Sequence, residues 1–205
     1  MRSRLIPFAI AIAFASASSF VLAASNNVRG AETYDVDAVH SAVIFKIQHF
    51  EISNFYGRFN DISGTFTIDD ADPAACRFEI EVKVASVDTN NADRDKHLRN
   101  EEIFAADKYP TIRFVSTKIK DIDGDEIEVE GELTMHGVTK PLSVELKRIG
   151  AGPGPMGGYR MGLETTFKVK RSDFGVGAAI DSVATGVKPL GDEVTLIIGI
   201  EAVRQ

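Results

Sequence analysis

The stretch Arg77-Phe78-Glu79-Ile80-Glu81-Val82-Lys83-Val84 alternates between charged and apolar side chains at every position. Successive side chains of a β-strand point to opposite faces, so this pattern predicts a strand with one dry face and one wet face. The same alternation recurs in residues 126–135, 159–169 and 194–200. Less regular strands are expected near residues 33–37, 42–49, 55–68, 111–122 and 138–149. Alternation of this kind is typical of antiparallel sheets.

The predicted strands are joined by short connections. Asp123-Gly124 and His136-Gly137 stand where tight hairpins need residues that tolerate positive φ. The glycine-rich residues 150–158 are expected to form a flexible loop. About eight such strands either stack as a sandwich or close into a barrel, and closure also removes the exposed edges. Alternation does not tell a packed interior from one that holds a small ligand, because barrels of about eight strands do either.

One segment departs from the strand pattern. Asp93-Arg94-Asp95-Lys96-His97-Leu98-Arg99 is polar except for one leucine, and Asp93 can cap a short helix. Tyr109-Pro110 is expected to end this helical segment, because the residue before a proline avoids the α region. The apolar residues 103–106 would press the helix onto an apolar surface. We expect the helix to cover the mouth of a barrel; a solvated surface helix with ordinary charge pairs is the alternative.

The amino-terminal segment has the features of an export signal. Arg2 and Arg4 precede an apolar run at residues 5–15, and small residues follow as far as Ala23. This order predicts a secretory signal peptide at residues 1–23 and a single exported, periplasmic domain at residues 24–205. The apolar run is too short to be a good membrane span, so an integral membrane protein is not expected.

Charge and cysteine content restrict the partners further. Cleavage would remove two arginines and no acid, which changes the formal net charge from −7 to −9. Such a chain repels nucleic acid and anionic membrane surfaces, so neither is an expected partner. Cys76 is the single cysteine, so no internal disulfide can form. Burial of Cys76 in a strand is favoured; pairing between chains, and with it a homodimer, is the alternative.

Catalytic and metal-binding motifs are missing from the sequence. It contains no G-x-S-x-G or H-E-x-x-H string, and its four histidines have no metal-ligand spacing. We therefore predict no enzyme activity, no cofactor and no metal. A hydrolase or isomerase that uses His40, His49 or His97 as acid–base groups stays open as an alternative.

Seven short strings together identify a family. They are Asp37-x-x-His40-Ser41, Phe45-Lys46-Ile47-x-His49, Gly57-x-Phe59, Arg94-Asp95-x-His97-Leu98, Tyr109-Pro110-x-Ile112-x-Phe114, Gly131-x-Leu133-Thr134-x-x-Gly137-Val138 and Arg171-x-Asp173-Phe174-Gly175. In this order and at these spacings, from Tyr34 to Ala202, they resemble the YceI-like family of exported proteins. Ile103-Phe104 departs from the two adjacent aromatic residues that the family often has, which indicates a changed shape at the tunnel mouth.

The resemblance implies an all-β fold: an extended, lipocalin-like antiparallel barrel of about eight strands, with a short helix near the mouth of an apolar tunnel. It also implies binding of a polyisoprenoid or another long-chain amphiphile, such as an isoprenoid quinone or a polyprenyl phosphate. Carriage, storage or quinone and isoprenoid homeostasis are the expected roles. A ligand-free stress or interaction protein with a full core is a further alternative.

The candidate site has a polar part and an apolar part. Arg94 is the strongest head-group candidate, because a planar guanidinium pairs bidentately with oxyanions. The head-group set is Arg94, Asp95, His97, His40, Ser41 and His49. For His40 and Ser41 a role in the local turn is the alternative, and for His49 a hydrogen-bonded place in the core. The tunnel set is Phe45, Ile47, Phe59, Phe78, Ile80, Val82, Phe104, Phe114, Leu133, Met161, Leu163, Phe167 and Phe174.

Overall fold

Strands make up most of the protein in the computed structural model, which describes residues 30–155, 157–178 and 188–205. The predicted signal peptide at residues 1–23 lies outside these ranges. The strands are β1 (Glu32–Val36), β2 (Ala42–His49), β3 (Ser53–Phe59), β4 (Ile62–Ile68), β5 (Arg77–Lys83), β6 (Val87–Asp88), β7 (Thr111–Asp123), β8 (Glu126–Met135), β9 (Val138–Pro153), β10 (Tyr159–Lys170) and β11 (Leu190–Arg204). The helix is α1 (Ala92–Arg99), and 3₁₀ turns occupy Pro73–Ala75, Val84–Ser86 and Arg171–Phe174.

Eight of the strands close into an antiparallel barrel. They hydrogen-bond in the order β1, β4, β5, β7, β8, β9, β10 and β11, and β1 pairs with β11 to complete the ring. The long strand β11 has two partners on this side: its first part pairs with β2 and its last residues pair with β1. β3 continues the sheet from β2, and the short β6 pairs with β3. The predicted barrel is therefore confirmed.

The two faces of β5 are arranged as its alternation predicts. Phe78 and Val82 are buried, whereas Glu79 and Lys83 are exposed. On the outer face the Nη2 of Arg113 in β7 donates to Glu79 across the strand pair at 2.6 Å. Exposed pairs of this kind stabilise little. The apolar inner face therefore provides most of the stability of this part of the sheet.

Two strand boundaries differ from the sequence prediction. Residues 55–68 do not form one strand, because the chain leaves the sheet at Asn60-Asp61 and separates β3 from β4. The glycine-rich segment is only partly a loop, because β9 continues through Gly150 to Pro153 and pairs there with Tyr159 of β10. In both cases pairing with a neighbouring strand decides the boundary, and local composition does not report it.

The ends of α1 also differ from the prediction. Asn91, not Asp93, caps the helix, and its side chain accepts a hydrogen bond from Arg94 N at 3.0 Å. The helix ends at Arg99, well before Tyr109-Pro110. The chain then folds back, and Phe104 N and Ala106 N donate to the carbonyls of Leu98 and Arg99. These bonds satisfy the last helical carbonyls and bring Phe104 under the helix.

One end of the barrel is solidly packed. Tyr34, Phe66 and Phe78 form an aromatic stack there. The centroid of the Phe66 ring lies 5.1 Å from that of Tyr34 and 5.5 Å from that of Phe78. Cys76 is buried beside them, and its sulfur accepts a hydrogen bond from Asp69 N at 3.1 Å. Ile127, Val129 and Met161 belong to the same cluster. We call this the closed end.

Candidate functional site

The other end of the barrel is hollow. A cavity of about 420 Å³ lies between the strands there, below α1. Its wall is made almost entirely of aliphatic and aromatic side chains. We call its outer edge the rim, which is formed by polar and loop residues: His49, Arg94, His97, Arg171, Gly177 and Pro189. Cavities of this volume, with few polar groups, are typical of sites for small apolar ligands.

Most of the predicted tunnel residues line this cavity. They are Phe45, Ile47, Phe59, Ile80, Val82, Phe104, Phe114, Leu133 and Phe167. They come from β2, β3, β5, β7, β8 and β10 and from the segment after α1. Several are only half-buried although they point inward, for example Phe45 and Phe167. An inward apolar side chain that keeps exposed surface is the mark of a hollow interior.

Four predicted tunnel residues do not line the cavity. Phe78, Met161 and Leu163 belong to the closed end, where the interior is filled by side chains. Phe174 is also buried, but it packs with Ile103 and neighbouring residues in a separate cluster. Alternation correctly places Phe78, Met161 and Leu163 on the dry face, whereas Phe174 follows β10 in a 3₁₀ turn and was selected from a family string. Alternation does not show how far along the barrel the hollow part extends.

Two glycines allow aromatic rings to lie flat against the cavity wall. Gly57 of β3 stands opposite Phe45 of β2. A Cβ at Gly57 would be only 2.3 Å from Phe45 Cζ, so the ring occupies the space of the missing side chain. Gly131 does the same for Phe114, whose Cζ would be 2.5 Å from an added Cβ. Each glycine therefore keeps a phenyl ring out of the cavity.

The sequence analysis left out a large part of the lining. Leu196, Ile198 and Ile200 of β11 face the cavity, as do Ile112 and Leu98. The alternation of β11 was a usable signal, because it places these residues on one dry face. Arg171 was missed as a rim residue. Its buried guanidinium donates to the carbonyls of Gly191 and Val176, at 2.9 and 3.0 Å, and so ties the turn after β10 to β11.

Arg94 connects α1 to the end of β6 and to β3. Its Nε and Nη2 donate to the side-chain and backbone oxygens of Thr89, at 2.8 and 2.7 Å. Its guanidinium carbon also lies 4.5 Å from the centroid of the Phe55 ring. Within the described part of the chain, Nη1 has no hydrogen-bond partner. Arg94 is thus held by the fold and still offers one donor group at the rim.

Among the other predicted head-group residues of α1, only His97 reaches the cavity. Its Nε2 lies 3.2 Å from a carboxylate oxygen of Glu102, and the side chain is half-exposed. Asp95 instead turns toward Thr89 and accepts hydrogen bonds from its backbone N–H and its hydroxyl. Asp95 therefore fixes the position of the helix and does not line the cavity.

The sequence of this chain matches a known family along nearly all of the described barrel. The model of the YceI-like domain matches residues 34–202. Protein YceI of Shigella flexneri is 42% identical over 188 residues, which cover 92% of this chain and 94% of that protein. The chain belongs to the YceI-like family.

Solved structures share the YceI-like fold. The YceI protein of Campylobacter jejuni has 31% sequence identity and a TM-score of 0.64, covering 77% of this chain and 89% of that one. A polyisoprenoid binding domain from Saccharophagus degradans has 17% identity and a TM-score of 0.63, covering 84% of this chain and 98% of that one. At this identity the second comparison shows the fold alone. Neither α1 nor any other described helical segment of this YceI-like protein has the length and hydropathy needed to span a bilayer.

Two predicted head-group residues lie far from the YceI-like cavity. His40 and Ser41 precede β2, whereas His49 at the other end of β2 lies at the rim. His40 Nδ1 lies 2.8 Å from Asp37 Oδ2, and the Ser41 hydroxyl donates to the Asp37 carbonyl at 2.7 Å. The turn role is thus the one that their contacts support. Neither residue lines the cavity, and the length of β2 separates both of them from the rim.

The acidic groups around His40 are already neutralised. Asp37, His40 and Glu201 bring potential ligand atoms within 4.8 Å of one another, which is close enough for a metal ion. However, Arg160 Nη1 lies 2.7 Å from Asp37 and 2.5 Å from Glu201, so a guanidinium supplies the positive charge. The hydrogen bond from Arg160, and then that from His40, holds the pKa of Asp37 well below its ordinary value. The cluster is therefore an ion-pair network that joins β1, β10 and β11 of the YceI-like barrel.

Proposed function

We propose that this YceI-like protein binds a long-chain, isoprenoid-type lipid with the tail inside the cavity, and that it carries or stores this lipid after export to the periplasm. The observation that carries the proposal is the apolar cavity of about 420 Å³, whose charged and histidine side chains belong to the rim and whose lining contains one further polar residue, Thr165. The fold shared with a polyisoprenoid binding domain supports the same choice of ligand.

Tail burial supplies enough free energy for tight binding. Each buried CH₂ contributes about 0.8 kcal/mol, so a five-carbon isoprenoid unit contributes up to about 4 kcal/mol before ordering costs are subtracted. Two or three units inside the cavity are therefore sufficient. The rim does not need to supply affinity, and its polar groups are left to select and position the head group.

The cavity favours binding over turnover. Thr165 provides the one hydroxyl group of the described lining, and it already donates to the carbonyl of Glu145 at 2.7 Å. His49 and His97 at the rim therefore have no serine, threonine or cysteine nucleophile to activate within the described lining. A histidine-dependent hydrolase predicts turnover of a bound lipid, whereas a carrier returns the lipid unchanged.

The decisive experiment combines extraction and uptake. Native mass spectrometry and organic extraction of the purified mature protein should yield a bound lipid with an isoprenoid or other long unsaturated tail. After delipidation, a polyprenyl lipid should be taken up saturably. Ile198→Trp, which fills the cavity, should abolish uptake. Ile149→Trp is the matched control, because Ile149 is exposed on the outside of β9. A delipidated wild-type protein without saturable uptake would contradict the proposal.

The role of Arg94 is tested by comparing two head groups. Arg94→Ala should weaken binding of a diphosphate-headed polyprenyl lipid by about ten- to a hundredfold, because a charge-assisted hydrogen bond is worth roughly 1.5–3 kcal/mol. A neutral quinone of equal tail length should bind nearly as before. Since Arg94 also holds Thr89, the melting temperature is measured in the same variant. Equal weakening of both ligands, together with a lower melting temperature, would remove Arg94 from the head-group site.

A further inference from the structure

The hairpin that joins β2 to β3 displays apolar side chains to solvent. Phe50 and Ile52 lie in its turn and are 44% and 86% exposed. Phe50 and Glu51 both have positive φ, at 51° and 60°, in the left-handed region. Asn and Gly are the preferred residues where a hairpin turn needs two successive positive φ angles. A bulky aromatic residue here costs backbone energy, and it places a ring at the tip of the hairpin.

The hairpin tip adjoins the cavity. Phe50 N donates to the carbonyl of Pro189 at 3.0 Å, and the Phe50 ring packs edge-on against His49 with centroids 4.4 Å apart. Both His49 and Pro189 belong to the rim. The exposed apolar tip is therefore continuous with the opening of an apolar cavity.

We infer that the β2–β3 hairpin tip is a membrane-docking element: Phe50 and Ile52 insert into the interfacial region of a lipid bilayer and place the cavity opening at the source of the lipid. The function of this docking rests on the proposed lipid binding. A stable protein interface buries roughly 800 Å² on each partner, which two side chains on one turn do not provide. Binding to a bilayer scales with the apolar area that inserts, so shallow insertion of two apolar side chains gives weak, reversible attachment.

The charge of the protein indicates which bilayer surface the tip prefers. Glu51 lies between Phe50 and Ile52, and the chain has a formal net charge of −7. An anionic bilayer surface would repel the Glu51 carboxylate and the negatively charged protein as a whole. Attachment of the tip to a bilayer therefore depends on its apolar side chains and not on electrostatic attraction. We therefore expect attachment to zwitterionic bilayers, weakened by anionic lipid and little affected by salt.

Flotation with phosphatidylcholine vesicles tests the docking directly. Phe50→Ser combined with Ile52→Ser should lower the vesicle-bound fraction, reducing the partition coefficient by about tenfold or more. Val39→Ser is the matched control, because Val39 is also 86% exposed but lies in the turn before β2, at the other end of that strand. Transfer of a fluorescent polyprenyl lipid from vesicles should slow in parallel, whereas uptake of the same lipid from detergent should be unchanged.

Each other outcome has a defined meaning. Equal vesicle binding by the tip variant and wild type would overturn the docking inference, as would stronger, salt-sensitive binding to vesicles that contain phosphatidylglycerol. A tip variant that changes the oligomeric state and not the vesicle binding would make the tip a contact between copies of the chain, which also overturns it. Tip-dependent vesicle binding without lipid uptake from detergent would support docking and remove the proposed lipid-binding function.

Discussion

Replacing Gly57 by alanine should narrow the cavity while the barrel stays folded. The new Cβ would lie 2.3 Å from Phe45 Cζ and 2.8 and 2.9 Å from Cε1 and Cε2. Carbon atoms pack comfortably at about 3.5–4.0 Å, so the ring must retreat by roughly 1.2 Å or more. The wall of β3 lies behind the added methyl group, and the ring therefore moves toward the cavity. Overpacking of this kind costs about 1–3 kcal/mol of stability.

The displaced ring takes space from the lipid tail. If the tail loses the burial of one or two methylene groups, at about 0.8 kcal/mol each, its affinity falls about four- to fifteenfold. The assay is titration of delipidated protein with a fluorescent polyprenyl lipid. Gly199→Ala on β11 is the control, because nothing lies within 4 Å of a Cβ at Gly199. It should leave the affinity unchanged.

A second substitution separates cavity narrowing from general damage. In the double variant Gly57→Ala with Phe45→Leu, the shorter side chain leaves room for the new methyl group, so affinity should return most of the way to the wild-type value. The reasoning is refuted if Gly57→Ala binds the lipid as tightly as Gly199→Ala with unchanged stability. It is also refuted if removal of the Phe45 ring does not restore binding to the folded double variant.

Three further predictions concern the closed end and the ion-pair network. Phe78→Ala should lower the free energy of unfolding, measured by urea denaturation, by about 3–5 kcal/mol, because the Phe78 side chain is fully packed. Phe167→Ala should lower it by less than half as much, because the Phe167 side chain already borders a cavity. Asp37→Asn should lower the free energy of unfolding at neutral pH, because Arg160 stabilises the ionised Asp37 carboxylate and lowers its pKa. The wild-type protein loses this stabilisation as the pH falls below 3.8 toward the lowered pKa, so the difference in stability between wild type and variant should shrink. Denaturation of both proteins at several acidic pH values measures this difference. Burial raises the pKa of the Cys76 thiol, so a thiol reagent should modify it only after unfolding, and rapid modification of native protein would show that it is accessible.

The barrel could be predicted from the sequence because its determinant is local. Each alternating strand, such as β5, specifies a dry face, and about eight dry faces in one chain require a closed or stacked sheet. The hollow part could not be predicted in this way. Phe78 and Phe167 have the same kind of pattern around them, yet one is packed in the closed end and the other borders the cavity. Whether an inward side chain is packed or borders the cavity depends on which side chains from other strands meet it across the barrel. The periodicity of a single strand does not show these contacts.

The polar part of the site was predicted less well for a related reason. Chemistry and family resemblance selected Arg94 and His97, which lie at the rim, but equally His40 and Ser41, which precede β2 at its other end. A polar residue near the end of a strand can lie at either end of the barrel, and which end it is depends on the direction in which that strand runs. The two cavity glycines were quoted in family strings, but their role depends on Phe45 and Phe114 of neighbouring strands.

The division of the barrel into two ends explains how the protein can contain a large cavity and still be stable. Nearly all of its completely buried large side chains, including Tyr34, Phe66 and Ile127, lie outside the cavity lining. Folding free energy comes mainly from such close-packed residues, because a void forfeits the dispersion contacts on one side of its lining. The cavity walls are instead held by the long strands β7–β11, which extend from the closed end to the rim. Substitutions at the rim should therefore alter ligand selectivity and cost little stability. Substitutions at the closed end should lower stability and leave ligand selectivity nearly unchanged.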